Sequence, residues 1–375
     1  MGHDGYEVVS ATRPLLEHVV STRVRALPGV RILEGARVRR LSRDGERWAL
    51  HLHDDGRLVG DLVVDASGRG SRMPTWLGDL GIDMPPATEL DAEVGYATRV
   101  YAAAPEDAGF PGVVVMSTPA TRAGGMALRV EGDRFLVLAS GYGERRPARD
   151  PDAFLAHLRG LVDPAVADLV GARRPVGEVL IYRRTGNRRH RYERVRRWPD
   201  GLLVVGDALC AFNPVYGQGI TVAAMEAGLL RRALRRGFGR SRGDSRRLMR
   251  RFSAAVDLPW AIATGADAAY AADVIPRWRR PGQSALAWWS TRVGLLATHG
   301  DQRAAHTLAG VYHLMSSPAA LLHPALLAAA AKAALSGLGP PEPRPASLHA
   351  APNQSGRADV VCDRGSSVQT TKMSP

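Results

Sequence analysis

The stretch from Val204 to Ala227, VVGDALCAFNPVYGQGITVAAMEA, combines an acidic residue with closely spaced glycines. Its valines predict the end of a buried strand, and its last third predicts an alanine-rich helix. The start of a helix carries free N–H groups and a partial positive charge, so it can hold an anionic group. A carboxylate at the end of the strand can accept hydrogen bonds from ligand hydroxyls. The candidate binding residues here are Gly206, Asp207, Pro214, Gly217, Gln218, Gly219 and Ile220.

A second candidate site lies in LVVDASGRGSR, Leu62–Arg72. A buried strand brings Asp65 to its carboxyl end, where the sheet of an α/β fold normally opens onto a ligand crevice. Gly68 allows the backbone to approach a ligand closely, and Arg72 can meet a phosphate with two parallel hydrogen bonds. Glycine-rich strand exits are common, so an ordinary loop with a surface arginine is the alternative interpretation.

Periodicity predicts the elements that carry these loops. Thr12–Leu27 has a helical apolar repeat, with Thr12 as the N-cap and Pro14 in the first turn. The residues that follow alternate as strands, and the Asp44-Gly45 and Asp55-Gly56 pairs predict two hairpin turns.

From about residue 93 to residue 180 the sequence changes to alternating strands, interrupted by one predicted helix, Pro151–Val162. The buried-strand pattern returns at GLLVVGDALC, so a sheet-rich domain is predicted to be inserted into the first domain. Beyond Gly217 the chain is predicted to be helical to about Leu335, and the Pro/Ser/Gly-rich tail is predicted to be disordered. The predicted divisions are 1–84 and 199–240 for the first domain, 85–198 for the inserted domain, 241–335 for the helical region and 336–375 for the tail.

The formal charge of +13 comes almost wholly from arginine, since Lys332 and Lys372 are the only lysines. The arginines are scattered and lack interleaved aromatic residues, which argues against nucleic acid as a partner. Attraction to anionic ligands or peripheral contact with a membrane surface stays open. No stretch reaches the roughly 18 apolar residues of a membrane span, and no signal pattern is found. Cys210 and Cys362 occupy dissimilar contexts, so we expect no disulfide, no metal site and a cytoplasmic protein.

The two candidate loops together resemble a known family. Gly206-Asp207-Ala208, Asn213-Pro214, Gly217-Gln218-Gly219 and the following AAMEA look like the GD motif of class A flavoprotein monooxygenases. These are the para-hydroxybenzoate hydroxylase-like enzymes, with squalene-epoxidase-like and halogenase-like relatives. Leu62–Arg72 is similar to the family's second motif, with Ala66 where many members have Gly. The resemblance covers roughly Thr12 to Leu335. It implies an α/β fold: an FAD/NAD(P)-binding, glutathione-reductase-like domain, an inserted β-rich substrate domain and a C-terminal helical region.

The resemblance implies FAD as the cofactor and NAD(P)H as the electron donor. Asp207 would bind the ribityl chain, and Gly217 to Ile220 would face the isoalloxazine. Arg13 matches an arginine that contacts the FAD phosphates, and the strand near Val38 matches one whose backbone meets the adenine. The implied reaction is hydroxylation or epoxidation of an apolar or aromatic small molecule through a flavin hydroperoxide. The flavin carries this chemistry, so no catalytic side chain is assigned.

One segment that the resemblance implies is not found. The family opens with a strand, a G-x-G-x-x-G turn and a helix that bind the FAD pyrophosphate. No glycine set of this chain follows a buried strand and opens an apolar helix in that way. We therefore expect a domain truncated at its N-terminus, without its first βαβ unit, with an unpaired sheet edge and weakened FAD affinity. Two alternatives stay open: a flavin-dependent polyprenyl-type reductase, which shares the fold, and a non-catalytic remnant.

Other candidate side chains have simpler interpretations. His190 lies among arginines and is interpreted as part of a solvated basic run. Tyr96, Tyr101, Tyr142 and Tyr182 fall in the inserted domain and could line a substrate pocket, although strand tyrosines also serve in packing.

Overall fold

The computed structural model describes residues 9–271, 289 and 292–335. The chain begins with helix α1 (Arg13–Arg25) and a three-stranded antiparallel sheet of β1 (Val38–Asp44), β2 (Arg47–Leu52) and β3 (Arg57–Gly60). Thr12 caps α1, since its hydroxyl accepts the Leu15 N–H at 3.3 Å. Both predicted hairpin turns are present, and Gly45 and Asp55 lie in the left-handed region there. The predictions for this segment are confirmed.

The remaining elements also follow the predicted order. They are, in chain order, β4 (Val63–Asp65), α2 (Met73–Asp79), β5 (Thr88–Leu90), β6 (Val94–Ala102), β7 (Gly112–Val115), β8 (Ala123–Val130), β9 (Arg134–Tyr142), α3 (Pro151–Arg159), α4 (Ala165–Gly171), β10 (Pro175–Tyr182), β11 (Asn187–Arg189), β12 (Leu202–Val204), β13 (Cys210–Ala211), α5 (Gly219–Arg235), α6 (Asp244–Ala255), α7 (Asp257–Asp267), α8 (Gln302–Tyr312) and α9 (Pro324–Leu335). Residues 292–298 are also helical. The predicted helical region is thus confirmed over its described part, whereas the tail 336–375 lies outside the described residues.

Across the described residues, none of the helices is both long enough and apolar enough to cross a bilayer.

The centre of the first domain is a pair of parallel strands. β4 pairs with β12 so that Asp65 lies opposite Val204, and all of β12 is fully buried. The surrounding core, which we call the cofactor-side core, includes Trp48 of β2, Phe252 of α6 and Trp260 of α7. Because parallel strands end at the same edge of a sheet, the two candidate loops leave the fold side by side.

The inserted domain is a five-stranded antiparallel sheet in the order β10-β6-β9-β8-β7. Helices α3 and α4 cover one face and bury Phe135 and Phe154 against it. Tyr101 lies in this helix-covered core with 2% exposure, so it packs there and does not line a pocket. Helix α4 was not predicted, because Ala165–Val170 is almost continuously apolar and buried and shows no helical period.

The opposite face of the same sheet is covered at one end, where Tyr96 and Tyr142 are buried in a cluster with Ala271, and is open over the rest. One cross-strand row on it, given by the strand registers, is Leu180, Thr98, Leu138, Met126 and Val114. All five side chains are half-buried or exposed. Tyr96 and Tyr182 form the neighbouring row, opposite each other on β6 and β10. We call this surface the open face.

A small antiparallel sheet, β13-β11-β5, ties the two predicted domains together. β5 and β11 belong to the predicted inserted domain, whereas β13 follows β12 in the first domain. The predicted domain limits therefore stay a prediction.

As the central strand, β11 buries Arg189 to 3% exposure, and the guanidinium of Arg189 pairs with Asp257 at 2.8 Å. His190 is half-buried against Tyr192, so the predicted solvated basic run is wrong at these positions.

Helix α1 is exposed along its whole length and buries no residue. Its apolar side chains are between 37% and 53% exposed, namely Leu15, Leu16, Val19, Val20 and Val24. Its N-terminus is held by the Thr12 N–H, which donates to Glu131 Oε2 at 2.9 Å. The apolar period thus predicted the helix correctly but not its surroundings.

Candidate cofactor-binding site

The loop after β12 brings a carboxylate to the start of a helix. The chain turns at Gly206, whose φ is 60°, and no protein atom lies within 4 Å of the position that a Cβ would take there. Asp207 follows, with its side chain 43% exposed. The Cβ position of Gly219, the first residue of α5, lies 3.7 Å from Asp207 Oδ1. The strand end, the carboxylate and the helix start therefore meet as the sequence predicts.

A second left-handed glycine shapes the segment between β13 and α5. Gly217 has φ 66°, and no protein atom lies within 4 Å of the position that a Cβ would take there. The side chains of Pro214 and Ile220 are exposed nearby. Gln218 is buried, and its Nε2 donates to the Tyr312 carbonyl of α8 at 3.2 Å. Gln218 thus anchors the loop to the C-terminal region, while its neighbours present open backbone.

Glu226 on α5 supports Gly206 from inside the fold. It is fully buried, and its Oε2 accepts the Gly206 N–H at 2.6 Å. Its Oε1 has no hydrogen-bond partner within the described part of the chain. The pKa of Glu226 is raised to about 7, chiefly by burial. The hydrogen bond from Gly206 lowers this pKa, and the negative charge of Asp207 raises it. The sequence signal for this role was an acidic residue four positions after Val222, on the same buried helix face.

The second loop is organised by Asp65. Its Oδ1 accepts the Ser67 N–H at 2.9 Å, and its Oδ2 accepts the Ser71 hydroxyl. Asp65 is 7% exposed, so these contacts lie inside the loop and its direct binding of a ligand stays a prediction. Gly68 has φ 75°, and no protein atom lies within 4 Å of the position that a Cβ would take there. Arg72 is exposed where α2 begins, and it forms no ion pair with any described residue.

Arg69 joins the two loops, a role that the sequence pattern does not predict. Its guanidinium donates to the Gly186 carbonyl at 2.6 Å and to the Phe212 carbonyl. Its Nε lies 3.6 Å from Asp207 Oδ2. The partners are 117 and 143 residues away in the chain, so the local GRG sequence gives no sign of this role.

The charges around Asp207 come from three arginines. Burial raises the pKa of its carboxyl, and Arg69, Arg13 and Arg188 lower it in that order. Arg13, at the start of α1, is exposed and pairs with Glu17 at 2.7 Å. The Arg13 charge is thus one of those that lower the pKa of Asp207, and its contact with a phosphate stays a prediction.

Val38 begins β1 beside the second loop. It pairs with Leu52, and the carbonyl of the next residue, Arg39, accepts Trp76 Nε1–H from α2 at 3.2 Å. Helix α2 follows directly after Arg72. The backbone near Val38 therefore lies next to the helix that continues the second motif, and its contact with an adenine stays a prediction.

A buried polar cluster lies under the first loop. Asp267, fully buried at the end of α7, accepts from Asn187 Nδ2 at 2.5 Å, Asn213 Nδ2 at 3.0 Å and the Tyr216 hydroxyl at 2.6 Å. The Tyr96 hydroxyl donates to Asn213 Oδ1 at 2.5 Å. Burial raises the pKa of Asp267, and these donors oppose the increase. The cluster ties the loop to β6, β11 and α7.

The other tyrosines of the inserted domain differ in their surroundings. Tyr142 is buried and stacks on Tyr270 with ring centroids 3.7 Å apart, whereas Tyr182 is 45% exposed. The described residues contain no group of three or more His, Cys, Asp or Glu that could hold a metal ion. Cys210 is a buried free thiol.

Together these features fit a flat, hydroxylated ligand with an anionic part. Gly68, Gly206 and Gly217 present open backbone in conformations that side chains rarely adopt, so an added Cβ would intrude into the space that they leave. Asp207 supplies acceptors, and the start of α5 supplies a partial positive charge. These are the requirements of a flavin.

No protein-family profile matches the sequence. Protein Rv3254 of Mycobacterium tuberculosis is 30% identical over 232 residues, which are 60% of this chain and 49% of that protein. The chain therefore spans about half the length of the curated relative that it matches.

Several solved structures share the architecture. A flavoprotein/dehydrogenase from Cytophaga hutchinsonii superimposes with a TM-score of 0.58 and 11% identity, covering 86% of this chain and 74% of that one. For the flavin-dependent brominase Bmp2 the TM-score is 0.57, with 13% identity and coverages of 86% and 76%. For the Diels-Alderase PyrE3 of pyrroindomycin biosynthesis it is 0.53, with 16% identity and coverages of 81% and 60%. The chain therefore shares the α/β fold of these three structures, with a β-rich inserted domain and a helical C-terminal region.

Proposed function

We propose that the chain binds FAD between the loop after β4 and the start of α5. The observation that carries this proposal is the half-exposed Asp207, held between Arg69 and Gly219 with open glycine backbone on both sides. Asp207 would accept hydrogen bonds from the ribityl hydroxyls, and the N-terminus of α5 would face the electron-rich end of the isoalloxazine. Arg13 would contact the phosphates and the backbone near Val38 the adenine.

We infer that the chain acts as an FAD-dependent oxidoreductase. The proposed reaction hydroxylates or epoxidises an apolar or aromatic small molecule, with NAD(P)H as the electron donor. FAD would supply the redox chemistry, and the chain would bind, orient and keep the reacting centre dry. Two structural neighbours are a flavoprotein/dehydrogenase and a flavin-dependent brominase, which supports the choice of cofactor.

The open face of the inserted sheet is the proposed substrate surface. Tyr96 lies on the same face as Leu138 and Met126, and its hydroxyl reaches Asn213, just before the exposed loop residues. Through Tyr96, the open face thus adjoins the loop that would face the flavin. Half-buried Leu and Met side chains favour an apolar ligand, because they gain from leaving water on contact.

Cofactor retention tests the proposal directly. The purified chain is mixed with FAD and desalted, and its visible spectrum is recorded. We expect flavin bands to stay with the protein and to be lost in Asp207→Asn, because an amide replaces two acceptor oxygens with one. Asp79→Asn changes an exposed carboxylate at the end of α2 and serves as the matched control. Equal FAD retention in both variants would contradict the assigned role of Asp207.

The type of reaction needs a second measurement. A monooxygenase consumes oxygen together with NADPH, whereas a polyprenyl-type reductase oxidises the donor without taking up oxygen. Coupled oxygen electrode and absorbance traces of the FAD-loaded protein separate the two. A chain that retains no FAD at any concentration would instead favour the non-catalytic remnant.

A further inference from the structure

The second half of α5, helix α6 and the turn between them form a strongly basic surface. Residues 231–251 contain ten arginines and a single acidic residue, Asp244, so this segment carries +9 of the +13 of the whole chain. All ten arginines are exposed except Arg246, which is half-buried. We call this surface the basic face; its arginines are Arg231, Arg232, Arg235, Arg236, Arg240, Arg242, Arg246, Arg247, Arg250 and Arg251.

The arginines are arranged in rows along the two helices. On α5 the pairs Arg231/Arg235 and Arg232/Arg236 are four residues apart, and the same spacing recurs on α6. Like charges at this spacing repel each other and weaken a helix. Within the described residues, Arg247 alone of the ten forms an ion pair, with Asp244. The described part of the fold therefore keeps a concentrated positive charge on this surface and pairs one of its ten arginines with an acid.

Apolar side chains lie among these charges. Leu234 is 50% exposed between the arginines of α5, and Phe238 is half-buried in the turn that follows. The opposite side of α6 buries Leu248 and Phe252 in the cofactor-side core, so the helix is firmly attached. Arginine around exposed apolar residues is the pattern of a segment that rests at a membrane interface.

More exposed arginines lie near α6. The turn at Tyr192–Arg194 lies against this helix, where the Ser253 hydroxyl donates to Glu193 Oε2 at 3.0 Å. Arg194, Arg196 and Arg197 are exposed in and after this turn. Further exposed positive charge thus lies in a segment that contacts α6.

We propose that the basic face binds the surface of an anionic phospholipid membrane. Guanidinium groups pair with headgroup phosphates, and Leu234 can enter the interface between them. Nucleic acid is the weaker candidate, because binding single strands depends on exposed aromatic side chains. Phe238, the single aromatic residue of segment 231–251, packs against the cofactor-side core. The proposal concerns a surface and is independent of FAD binding.

Vesicle co-sedimentation of the full chain, without added FAD, tests it. Vesicles of phosphatidylcholine with about 30% phosphatidylglycerol are compared with pure phosphatidylcholine. We expect binding to the anionic vesicles alone and weaker binding as NaCl is raised. Replacing four arginines by Gln should weaken binding at least about tenfold, since each contributes separately at an anionic surface. The four are Arg231, Arg235, Arg250 and Arg251.

A charge-matched variant controls for net charge. It carries Gln at four exposed arginines of the inserted domain: Arg145, Arg149, Arg159 and Arg174. We expect it to bind like the unchanged chain, and circular dichroism checks that both variants are folded. Equal loss in both variants, or equal binding to neutral vesicles, would overturn the proposal. A basic face that binds duplex or single-stranded RNA but ignores the vesicles would overturn it as well.

Discussion

At the scale of single residues, Glu226 links the shape of the cofactor loop to pH. Its carboxylate holds the Gly206 N–H, and its pKa is raised from 4.5 to about 7 by burial. Between these two values the folded protein binds more protons than the unfolded chain. The stabilisation by the protonated form is therefore complete below about pH 4.5 and is lost as pH rises through about 7. The difference corresponds to about 3 kcal/mol.

Glu226→Gln should remove this pH dependence. The amide oxygen can still accept the Gly206 N–H, and the side chain no longer has to lose a proton in a buried site. We expect the variant to be more stable than the unchanged chain at pH 8 and to differ little from it at pH 5. Urea unfolding at both pH values measures the free energy. Glu144→Gln, at an exposed position, is the control, and an effect of equal size there would contradict the explanation.

Residue patterns predicted the site where its parts are close in the chain. The acid and glycines of both loops were identified because their conformations are local, as with the left-handed Gly206 and Gly217. The Asp267 cluster was missed, since its partners Asn187 and Asn213 are 80 and 54 residues away. An acidic residue at the end of the apolar helix PWAIATGAD was the available signal. Pairing over such distances is set by the fold as a whole.

At the scale of elements, the turn before α5 depends on a residue without a Cβ. Gly217 has φ 66° and open space beside it, and Gly109, far from the site on the inserted domain, has φ 78° and equally open space. Alanine at either position should cost about 1–2 kcal/mol of stability, because both adopt a left-handed conformation. We expect FAD retention to fall for Gly217→Ala and to stay unchanged for Gly109→Ala. Equal retention in the two variants would show that the Gly217 turn is not part of the cofactor site.

Helix α1 allows a test of what its apolar face contributes. Leu16 and Val20 are 42% and 53% exposed, so Gln at both positions should change the free energy of unfolding by no more than about 0.5 kcal/mol. Leu248→Ala on α6, which is 2% exposed, should cost about 2–5 kcal/mol. Urea unfolding compares the two variants. A large loss from the α1 substitutions would mean that its apolar side chains are covered in solution.

The elements themselves were predicted to different degrees. Alternating strands such as β6 and β9 were recognised because their side chains point in turn to the helix-covered core and to the opposite face. Helix α4 was missed because both of its sides are apolar. The exposure of α1 could not be predicted, because an apolar period shows which side of a helix is apolar but not whether another element covers that side.

At the scale of the whole molecule, the chain has two large cores that different probes report. The cofactor-side core contains Trp48, Trp198 and Trp260, whereas the sequence between Trp76 and Trp198 has no tryptophan. The other tryptophans are Trp76 and, in the C-terminal part of the sequence, Trp278, Trp288 and Trp289. Tryptophan fluorescence therefore follows the unfolding of the cofactor-side core and the C-terminal region, and not of the inserted sheet. Far-UV circular dichroism follows both parts, so a comparison of the two signals shows whether they unfold together.

We expect the two signals to coincide and to shift together when FAD is added. The small sheet β13-β11-β5 and the buried Asp267 cluster span both parts, so neither can open without breaking contacts of the other. FAD that binds the folded chain alone adds about 2.7 kcal/mol at a hundred times its Kd. Asp207→Asn should abolish the shift in both signals. If FAD shifted the unfolding transition seen by fluorescence but not the one seen by circular dichroism, the inserted sheet would unfold independently. The buried contacts would then not couple this sheet to the cofactor site.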